Sequence, residues 1–287
     1  MSRLNDALEK ARREGVRDEA SAIERPRAVS TVPSVTALRF IDGAVLNPDL
    51  DSCLTELLSE DEPWAEQFRN LATRLRAMEG SEQVRRIGLM SAMGGEGKST
   101  LALALSLILA EEQRDRVLLV DADLRRRALD DLLGNKPSSG LGDWLNKPHP
   151  HLETRQIGSR GPFFLSAGRP FARPWELIAS PHLANVLDVA ASEFRYVIVD
   201  CPAEGPVADA ARIQEHLDGL LLVVRARTAP RDAILSTLER LDEDKMLGVI
   251  FNGEVGARKR FEHYRYSAYS ETKHGPKTKK KKWRRDE

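Results

Sequence analysis

The strongest constraint on the fold is a glycine-rich segment at residues 90–100, M-S-A-M-G-G-E-G-K-S-T, which lies between two apolar runs. In a turn between a strand and a helix, glycines let backbone N–H groups converge on phosphate oxygens. Lys98 can reach the outer phosphates and Ser99 can bind Mg²⁺. The usual pattern has Gly where Ala92 stands, so we interpret the segment as a variant phosphate-binding loop. Its predicted binding residues are Gly94, Gly95, Glu96, Gly97, Lys98, Ser99 and Thr100.

From residue 84 onward, short apolar runs alternate with helical patterns. The runs are apolar throughout, which is typical of strands buried on both faces of a parallel sheet covered by helices. We therefore predict an α/β fold with a doubly wound, mostly parallel sheet of the P-loop NTPase type. Strands are predicted at 86–91, 117–121, 163–167, 196–200, 219–225 and 248–252, and helices at 99–112, 128–133, 175–178, 181–193, 208–216 and 231–242.

Three regions follow from the changes in composition along the chain. Residues 1–63 are predicted to form an N-terminal helix at 2–14 and a flexible linker, with a short strand near 37–41. Residues 64–257 form the P-loop domain, which begins with an amphipathic helix at 64–78. Residues 258–287 lose apolar periodicity and are predicted to be a disordered, polybasic tail with tyrosines.

Charge and hydropathy indicate the cellular location of the protein. Acidic and basic residues are equal, at 44 each, but residues 273–285 carry a basic cluster. The longest apolar run, at 101–110, is about half the length that a transmembrane helix needs. The first residues do not resemble a signal peptide. Cys53 and Cys201 are too far apart for a metal motif. These features predict a cytoplasmic protein without a disulfide framework.

Acidic residues end two further predicted strands, at the edge where the phosphate loop is expected. Asp121 and Asp123 follow the run at 117–121, and Asp200 ends the run at 196–200. A carboxylate at the end of a buried strand is costly unless it meets a cation or a hydrogen-bond donor. Mg²⁺ held by carboxylates, waters and phosphates is one such partner. Alternatively, Asp121 or Asp123 caps the next helix and Asp200 pairs with an arginine.

Together these motifs resemble the bacterial tyrosine kinases (BY-kinases) of capsule and exopolysaccharide assembly. The phosphate loop resembles their Walker A motif, the D-x-D-x-R segment at 121–125 their Walker A′ motif, and the strand ending at Asp200 their Walker B motif. Residues 140–145 and 166–181 are similar to further family segments. The chain departs from the family where Ala203 and Arg127 stand in place of prolines.

The resemblance implies a set of roles for a kinase domain at 64–257 that uses ATP and Mg²⁺. Lys98 and the loop amides would hold the phosphates, Ser99 would bind Mg²⁺ directly, and Asp123 and Asp200 would act on the metal. Asp121 would be the base, and Asn252 would lie near the nucleotide base. The acceptors implied in the tail are Tyr264, Tyr266 and Tyr269.

The function implied is that of an ATP-dependent protein-tyrosine autokinase regulating exopolysaccharide or capsule polymerisation and export. The family implies a membrane chain-length regulator as activator in trans, with the helix at 2–14 as a docking element. The helix at 64–78 partly matches a family motif for subunit contacts, which implies a homo-oligomer such as a ring. The basic tail predicts contact with an anionic membrane at the inner face of the cell membrane rather than with nucleic acid.

Two other readings stay open. A partition or septum-positioning ATPase shares this fold, but such enzymes carry a signature Lys early in the loop, where this chain has Met93. A nucleotide-bound regulatory scaffold without activity would suit the altered Walker B proline, whereas the retained Lys98, Asp121, Asp123 and Asp200 argue against it.

Overall fold

The computed structural model describes residues 37–40, 46, 63–78, 84–111, 116–136, 139–203 and 209–253. All of these belong to the second of two compact units, residues 33–287. The predicted helix at 2–14, most of the linker, the three tail tyrosines and the basic tail lie outside the described residues. The division into 1–63, 64–257 and 258–287 therefore stays a prediction.

In the described part of the chain, eight strands form one sheet, in the order β1-β4-β5-β3-β6-β2-β7-β8. Neighbouring strands are parallel except for β4 and β5, which pair antiparallel. The doubly wound, mostly parallel sheet is thus confirmed. The strands are β1 (Ala37–Phe40), β2 (Arg86–Ser91), β3 (Val117–Asp121), β4 (His151–Gln156), β5 (Phe163–Leu165), β6 (Tyr196–Asp200), β7 (Gly219–Arg225) and β8 (Met246–Asn252).

Helices cover both faces of the sheet and enclose two apolar cores. One core lies between the sheet and α1, α2 and α3, and the other between the sheet and α4 to α7. The central strands β3 and β6 are buried along their whole length. The helices are α1 (Pro63–Ala77), α2 (Lys98–Glu111), α3 (Ala128–Leu132), α4 (Leu141–Asn146), α5 (Pro174–Ile178), α6 (His182–Glu193), α7 (Asp209–Gln214) and α8 (Arg231–Leu238).

The apolar run at 101–110 forms the middle of α2, which packs between α1 and the sheet and is therefore buried nearly all round. This position explains why the run is apolar without being a membrane segment. Within the described ranges, no helix is both long and apolar enough to cross a membrane.

The order of the strands creates the site. Strand β2, which precedes the phosphate loop, lies beside β6, and β6 lies beside β3. The chain moves outward from β2 to β3 on one side and from β6 to β7 on the other, so the winding direction reverses at this point. Ligands of open α/β sheets bind at the carboxyl ends of the strands where such a reversal occurs.

Candidate active site

The phosphate loop occupies residues 92–97, between β2 and α2. Gly95 and Gly97 have φ values of +86° and +93°, a region that disfavours any residue with a Cβ atom. A Cβ at Gly97 would also collide with the amide of Asn252. Ala92, by contrast, does not have a positive φ, so the departure from glycine at this position costs no backbone strain. The variant loop therefore keeps glycine where its backbone requires it.

Lys98 begins α2 and is only 7% exposed. Its Nζ donates a hydrogen bond to Ser91 Oγ at 2.9 Å, and Ser91 Oγ donates in turn to the carbonyl of Met93 at 2.8 Å. The last residue of β2 thus holds the lysine against the loop that it serves. A buried ammonium with one side-chain acceptor has donors left for phosphate oxygens.

The Glu96 carboxylate is not free, because it holds the phosphate loop in place. It is fully buried and accepts hydrogen bonds from the backbone N–H groups of Met93 at 2.8 Å and of Arg225 at 3.1 Å. The Asn252 amide donates to the Glu96 carbonyl at 2.9 Å. These contacts tie the loop to the ends of β7 and β8. Glu96 and Asn252 lie at the predicted site, and their side chains hold the loop in shape.

The three predicted acids come together at the carboxyl ends of β3 and β6. Asp121 and Asp200 are direct partners in the register of these two strands, and Asp200 is also the partner of Leu89 in β2. Asp121 Oδ1 accepts from the backbone N–H of Asp123 at 3.1 Å, and Asp123 Oδ1 accepts from that of Arg126 at the same distance. All three side chains are buried.

Several carboxylate oxygens of this cluster lack partners. Within the described residues, Asp121 Oδ2 and both carboxylate oxygens of Asp200 are buried and accept no well-formed hydrogen bond. The alternative in which an arginine neutralises Asp200 is therefore not supported. Buried polar atoms of native proteins are nearly always satisfied, so unpartnered acceptors at a strand end indicate a site for a cation or a donor group.

The pKa values of the acidic cluster also indicate a site for a cation. Burial, and after it repulsion from Asp200, raises the pKa of Asp121 well above its usual range. Burial also raises the pKa of Asp200 to about 6, although Ser99 and Lys98 both act to lower it. A nearby cation would stabilise the ionised forms of both groups and so lower both pKa values.

The acids alone do not form a metal cage. The described part of the chain contains no group of three or more His, Cys, Asp or Glu side chains arranged to hold a metal. Mg²⁺ is usually held by one or two carboxylates together with waters and substrate phosphates. The site offers two buried acids at strand ends, Asp121 and Asp200, beside the phosphate loop and Ser99. These residues fit that mode of binding.

The Walker A′ segment continues into three consecutive arginines. Arg125 pairs with the buried Asp209 at 3.0 Å, and Arg127 donates to the carbonyl of Gly168 at 3.3 Å. Arg127 has φ +53°, a conformation that proline cannot adopt because its ring fixes φ near −65°. The loop after Asp123 therefore has a geometry that excludes the proline usual in the resembled family.

The two family segments without a predicted role form a support for the site. The backbone N–H groups of Leu141 and Gly142, at the start of α4, donate to the carbonyls of Ser166 and Ala167 after β5. Ser166 Oγ donates to Asp130 of α3 at 2.9 Å. The end of β5 is thus fixed to both neighbouring helices.

Sequence reasoning missed several contributors to the site. Arg225 donates to the carbonyl of Gly95 at 3.0 Å, and Arg126 lies over Gly94. Arg126 stands next to a motif residue, which could have drawn attention to it. Arg225 follows the loop by about 130 residues, and no sequence pattern signals its contact.

The chain belongs to the CbiA family, described as the CobQ/CobB/MinD/ParA nucleotide binding domain, which matches residues 87–271. That description includes partition-type ATPases and so does not by itself distinguish the two enzyme classes.

The chain is similar to the succinoglycan biosynthesis transport protein ExoP of Rhizobium meliloti (strain 1021). The two are 32% identical over 221 residues, which cover 72% of this chain and 28% of ExoP. It is also 29% identical to the tyrosine-protein kinase YwqD of Bacillus subtilis (strain 168), over 71% of this chain and 86% of YwqD. The chain thus spans less than a third of the length of ExoP.

Among solved structures, the kinase domain of the Escherichia coli tyrosine kinase ETK superposes with a TM-score of 0.63 and 25% identity. The match covers 70% of this chain and 80% of that domain. The predicted resemblance to bacterial tyrosine kinases is confirmed by these relatives.

Proposed function

We propose that the chain is an ATP-dependent protein-tyrosine autokinase that regulates exopolysaccharide or capsule polymerisation and export. The observation that carries the proposal is the meeting of a phosphate loop with unpartnered, buried carboxylates on the two adjacent strands. Relatives named tyrosine-protein kinases support this reading over a partition-type ATPase.

In this proposal the phosphates of ATP lie in the loop at residues 92–97. The backbone N–H groups of the loop and of the first turn of α2 would donate to phosphate oxygens, and Lys98 would neutralise their charge. Ser91 orients Lys98 through the 2.9 Å hydrogen bond. Ser99, Asp123 and Asp200 would hold Mg²⁺, which neutralises charge on the transferred group.

Asp121 is the proposed proton acceptor for the attacking tyrosine. A tyrosine hydroxyl has a pKa near 10 and needs a positioned base at neutral pH. Asp121 Oδ2 has no partner among the described residues, and burial raises the pKa of this carboxyl. Both properties suit a group that must take up a proton in the site.

The acceptors are proposed to be Tyr264, Tyr266 and Tyr269, presented by a neighbouring copy in a homo-oligomer. Each phosphate would add about −1.5 to −2 charges beside a basic tail, which we expect to weaken contacts between subunits. We further propose activation in trans by a membrane chain-length regulator and location at the inner face of the cell membrane. The similarity to ExoP, a succinoglycan biosynthesis transport protein, supports a polysaccharide system.

The test is to incubate the purified chain with ATP and Mg²⁺, with and without a cytoplasmic fragment of its membrane partner, and to map phosphate by mass spectrometry. We expect phosphotyrosine at residues 264, 266 or 269, lost in Lys98→Met. Lys147→Met is the matched control, because Lys147 is exposed beyond the end of α4. ATP hydrolysis without phosphotyrosine would instead favour the partition-type ATPase, and neither activity would favour the scaffold.

A further inference from the structure

One cation beside the phosphate loop has no assigned role. Arg126 is exposed, and its guanidinium lies over Gly94, so that a Cβ on Gly94 would overlap both terminal nitrogens. Its neighbours Arg125 and Arg127 are each engaged by protein groups. Across the described ranges, the Arg126 guanidinium makes no hydrogen bond or ion pair. It is therefore available to a ligand in the loop.

The backbone of Arg126 is fixed by a hydrogen bond to Asp123. Asp123 Oδ1 accepts from the Arg126 N–H at 3.1 Å, which places the arginine at the turn between the end of β3 and α3. Gly94 accepts the close approach because it has no side chain. The same carboxylate that is proposed to act on Mg²⁺ thus also positions a cation over the first half of the loop.

The distribution of charge around the loop makes this position significant. Lys98 is buried at the helix end of the loop, and Arg225 is committed to the carbonyl of Gly95 at the other side. At the start of the loop stands Met93, an exposed apolar side chain that brings no charge. Arg126, lying over the adjacent Gly94, places an exposed guanidinium at this uncharged part of the loop.

We propose that Arg126 binds the terminal phosphate of the nucleoside triphosphate, supplying from the same chain the charge that Met93 lacks. This inference rests on the proposed binding of ATP in the loop. A guanidinium presents two parallel N–H donors that match phosphate oxygens, and hydrogen bonds between charged groups are among the strongest in proteins. Arg126 then distinguishes a triphosphate from a diphosphate, which lacks the group it binds.

The experiment measures the affinity of the full chain for the β,γ-imido analogue of ATP and for ADP, each with Mg²⁺, by calorimetry. In Arg126→Ala we expect binding of the triphosphate analogue to weaken about 10- to 100-fold, as for the loss of a charged hydrogen bond. Binding of ADP should change less than about threefold, since the contacted group is absent. Equal losses for both nucleotides, or no loss for either, would overturn the proposal.

Arg160→Ala is the matched control. Arg160 is an exposed arginine in the turn before β5, at the amino edge of the sheet, opposite the phosphate loop. Its removal should leave both affinities unchanged. If Arg126→Ala does not fold, Arg126→Gln provides the same comparison with a planar, uncharged side chain, and Arg126→Lys should recover part of the triphosphate affinity.

Failure of this inference is separable from failure of the proposed function. A chain that binds the triphosphate analogue but forms no phosphotyrosine would contradict the kinase, while the Arg126 comparison would remain readable. A chain that forms phosphotyrosine while Arg126→Ala binds both nucleotides like the parent would contradict only the role of Arg126.

Discussion

Carboxylates at the two ends of the parallel strands lie in opposite environments, those at the amino ends being hydrogen-bonded and those at the carboxyl ends unpartnered. At the amino edge of the sheet, where the strands begin, Asp218 accepts hydrogen bonds from the backbone N–H groups of Arg85 and Arg86 and from the Arg86 guanidinium. Burial acts to raise the pKa of Asp218, but these hydrogen bonds outweigh it and the pKa is lowered. At the carboxyl edge, Asp121 and Asp200 are buried with unpartnered oxygens and raised pKa values.

The contrast separates structural from functional charge within one domain. Asp218 is satisfied by its own chain and stabilises the fold. Asp200 is buried with both carboxylate oxygens unpartnered, and burial outweighs the opposing effects of Ser99 and Lys98 on its pKa. Its ionised form therefore destabilises the ligand-free fold, a cost that native proteins accept mainly at sites for ligands. Substitutions at the two edges should therefore change stability in opposite directions.

The largest effect is expected for Asp200→Asn. Loss of a carboxylate proposed to act on the metal should lower phosphotyrosine formation at least about 100-fold. The same change should raise the free energy of unfolding of the ligand-free protein by about 1 to 2 kcal/mol at pH 7, because an amide needs no counter-charge. Denaturant unfolding and phosphate mapping measure the two effects.

The gain should depend on pH with a defined sign. Because the folded-state pKa of Asp200 is raised to about 6, its carboxyl is protonated in both states at low pH and causes no penalty there. The penalty appears as pH rises from about 4 and is complete above the folded-state pKa. Asp200→Asn should thus match the parent near pH 4 and exceed it at pH 7. A variant less stable than the parent at pH 7 would contradict an uncompensated charge.

Asp218→Asn should act in the opposite direction. Removing the charge-assisted hydrogen bonds to Arg86 should lower the free energy of unfolding by about 1 to 2 kcal/mol, an amount reduced by the partial exposure of the pair. Because the pKa of Asp218 is lowered, its contribution is present above its unfolded-state pKa and is lost as pH falls through the folded value. The variant should therefore lose less stability than the parent on acidification.

Asp188→Asn is the control for this edge. Asp188 contacts the same Arg86 at 2.6 Å, but its side chain is 66% exposed. Exposed ion pairs contribute little, so a change of less than about 0.5 kcal/mol is expected. Equal effects of the two variants would mean that the burial of Asp218 is not what makes it stabilising.

Apart from the Asp188 control, the smallest effect is expected at Arg127, whose backbone is strained near the carboxyl ends of the strands. Arg127 adopts φ +53°, and its side chain donates a long hydrogen bond to the carbonyl of Gly168 at 3.3 Å. Arg127→Gly should raise the free energy of unfolding by about 0.5 to 1 kcal/mol, since glycine adopts this conformation without strain. Arg127→Ala keeps the Cβ and loses the hydrogen bond, so it should give no gain. A gain of equal size with alanine would show that the side chain, not the backbone, is the source of strain.

The sequence predicted the central strands and the acids at their ends because buried parallel strands produce continuous apolar runs. The sequence did not predict β4 and α4, for two different reasons. Strand β4 (H-L-E-T-R-Q) alternates between exposed and buried residues, so it has no apolar run. Helix α4 has six residues, too few to display a helical period, and it begins at Leu141 after Gly140, which provides no side-chain cap. Contacts such as that of Arg225 with Gly95 depend on strand order, which no local pattern encodes.

The site residues were predictable to the extent that each lies in a motif. Glu96 was expected among the nucleotide-binding residues, yet its carboxylate is used to fasten the loop to Arg225. A motif specifies residue types and spacing but not the direction in which a side chain turns. That direction is set by the neighbouring strands β7 and β8.

The most direct test asks whether the unpartnered carboxylate of Asp200 binds a cation together with the nucleotide. The free energy of unfolding is measured at pH 7 for the parent and for Asp200→Asn, with ADP alone and with ADP plus Mg²⁺. We expect Mg²⁺ to add at least about 2 kcal/mol to the parent at saturating ligand and almost nothing to the variant. Equal stabilisation of both by Mg²⁺ would contradict a role for Asp200 in holding the metal.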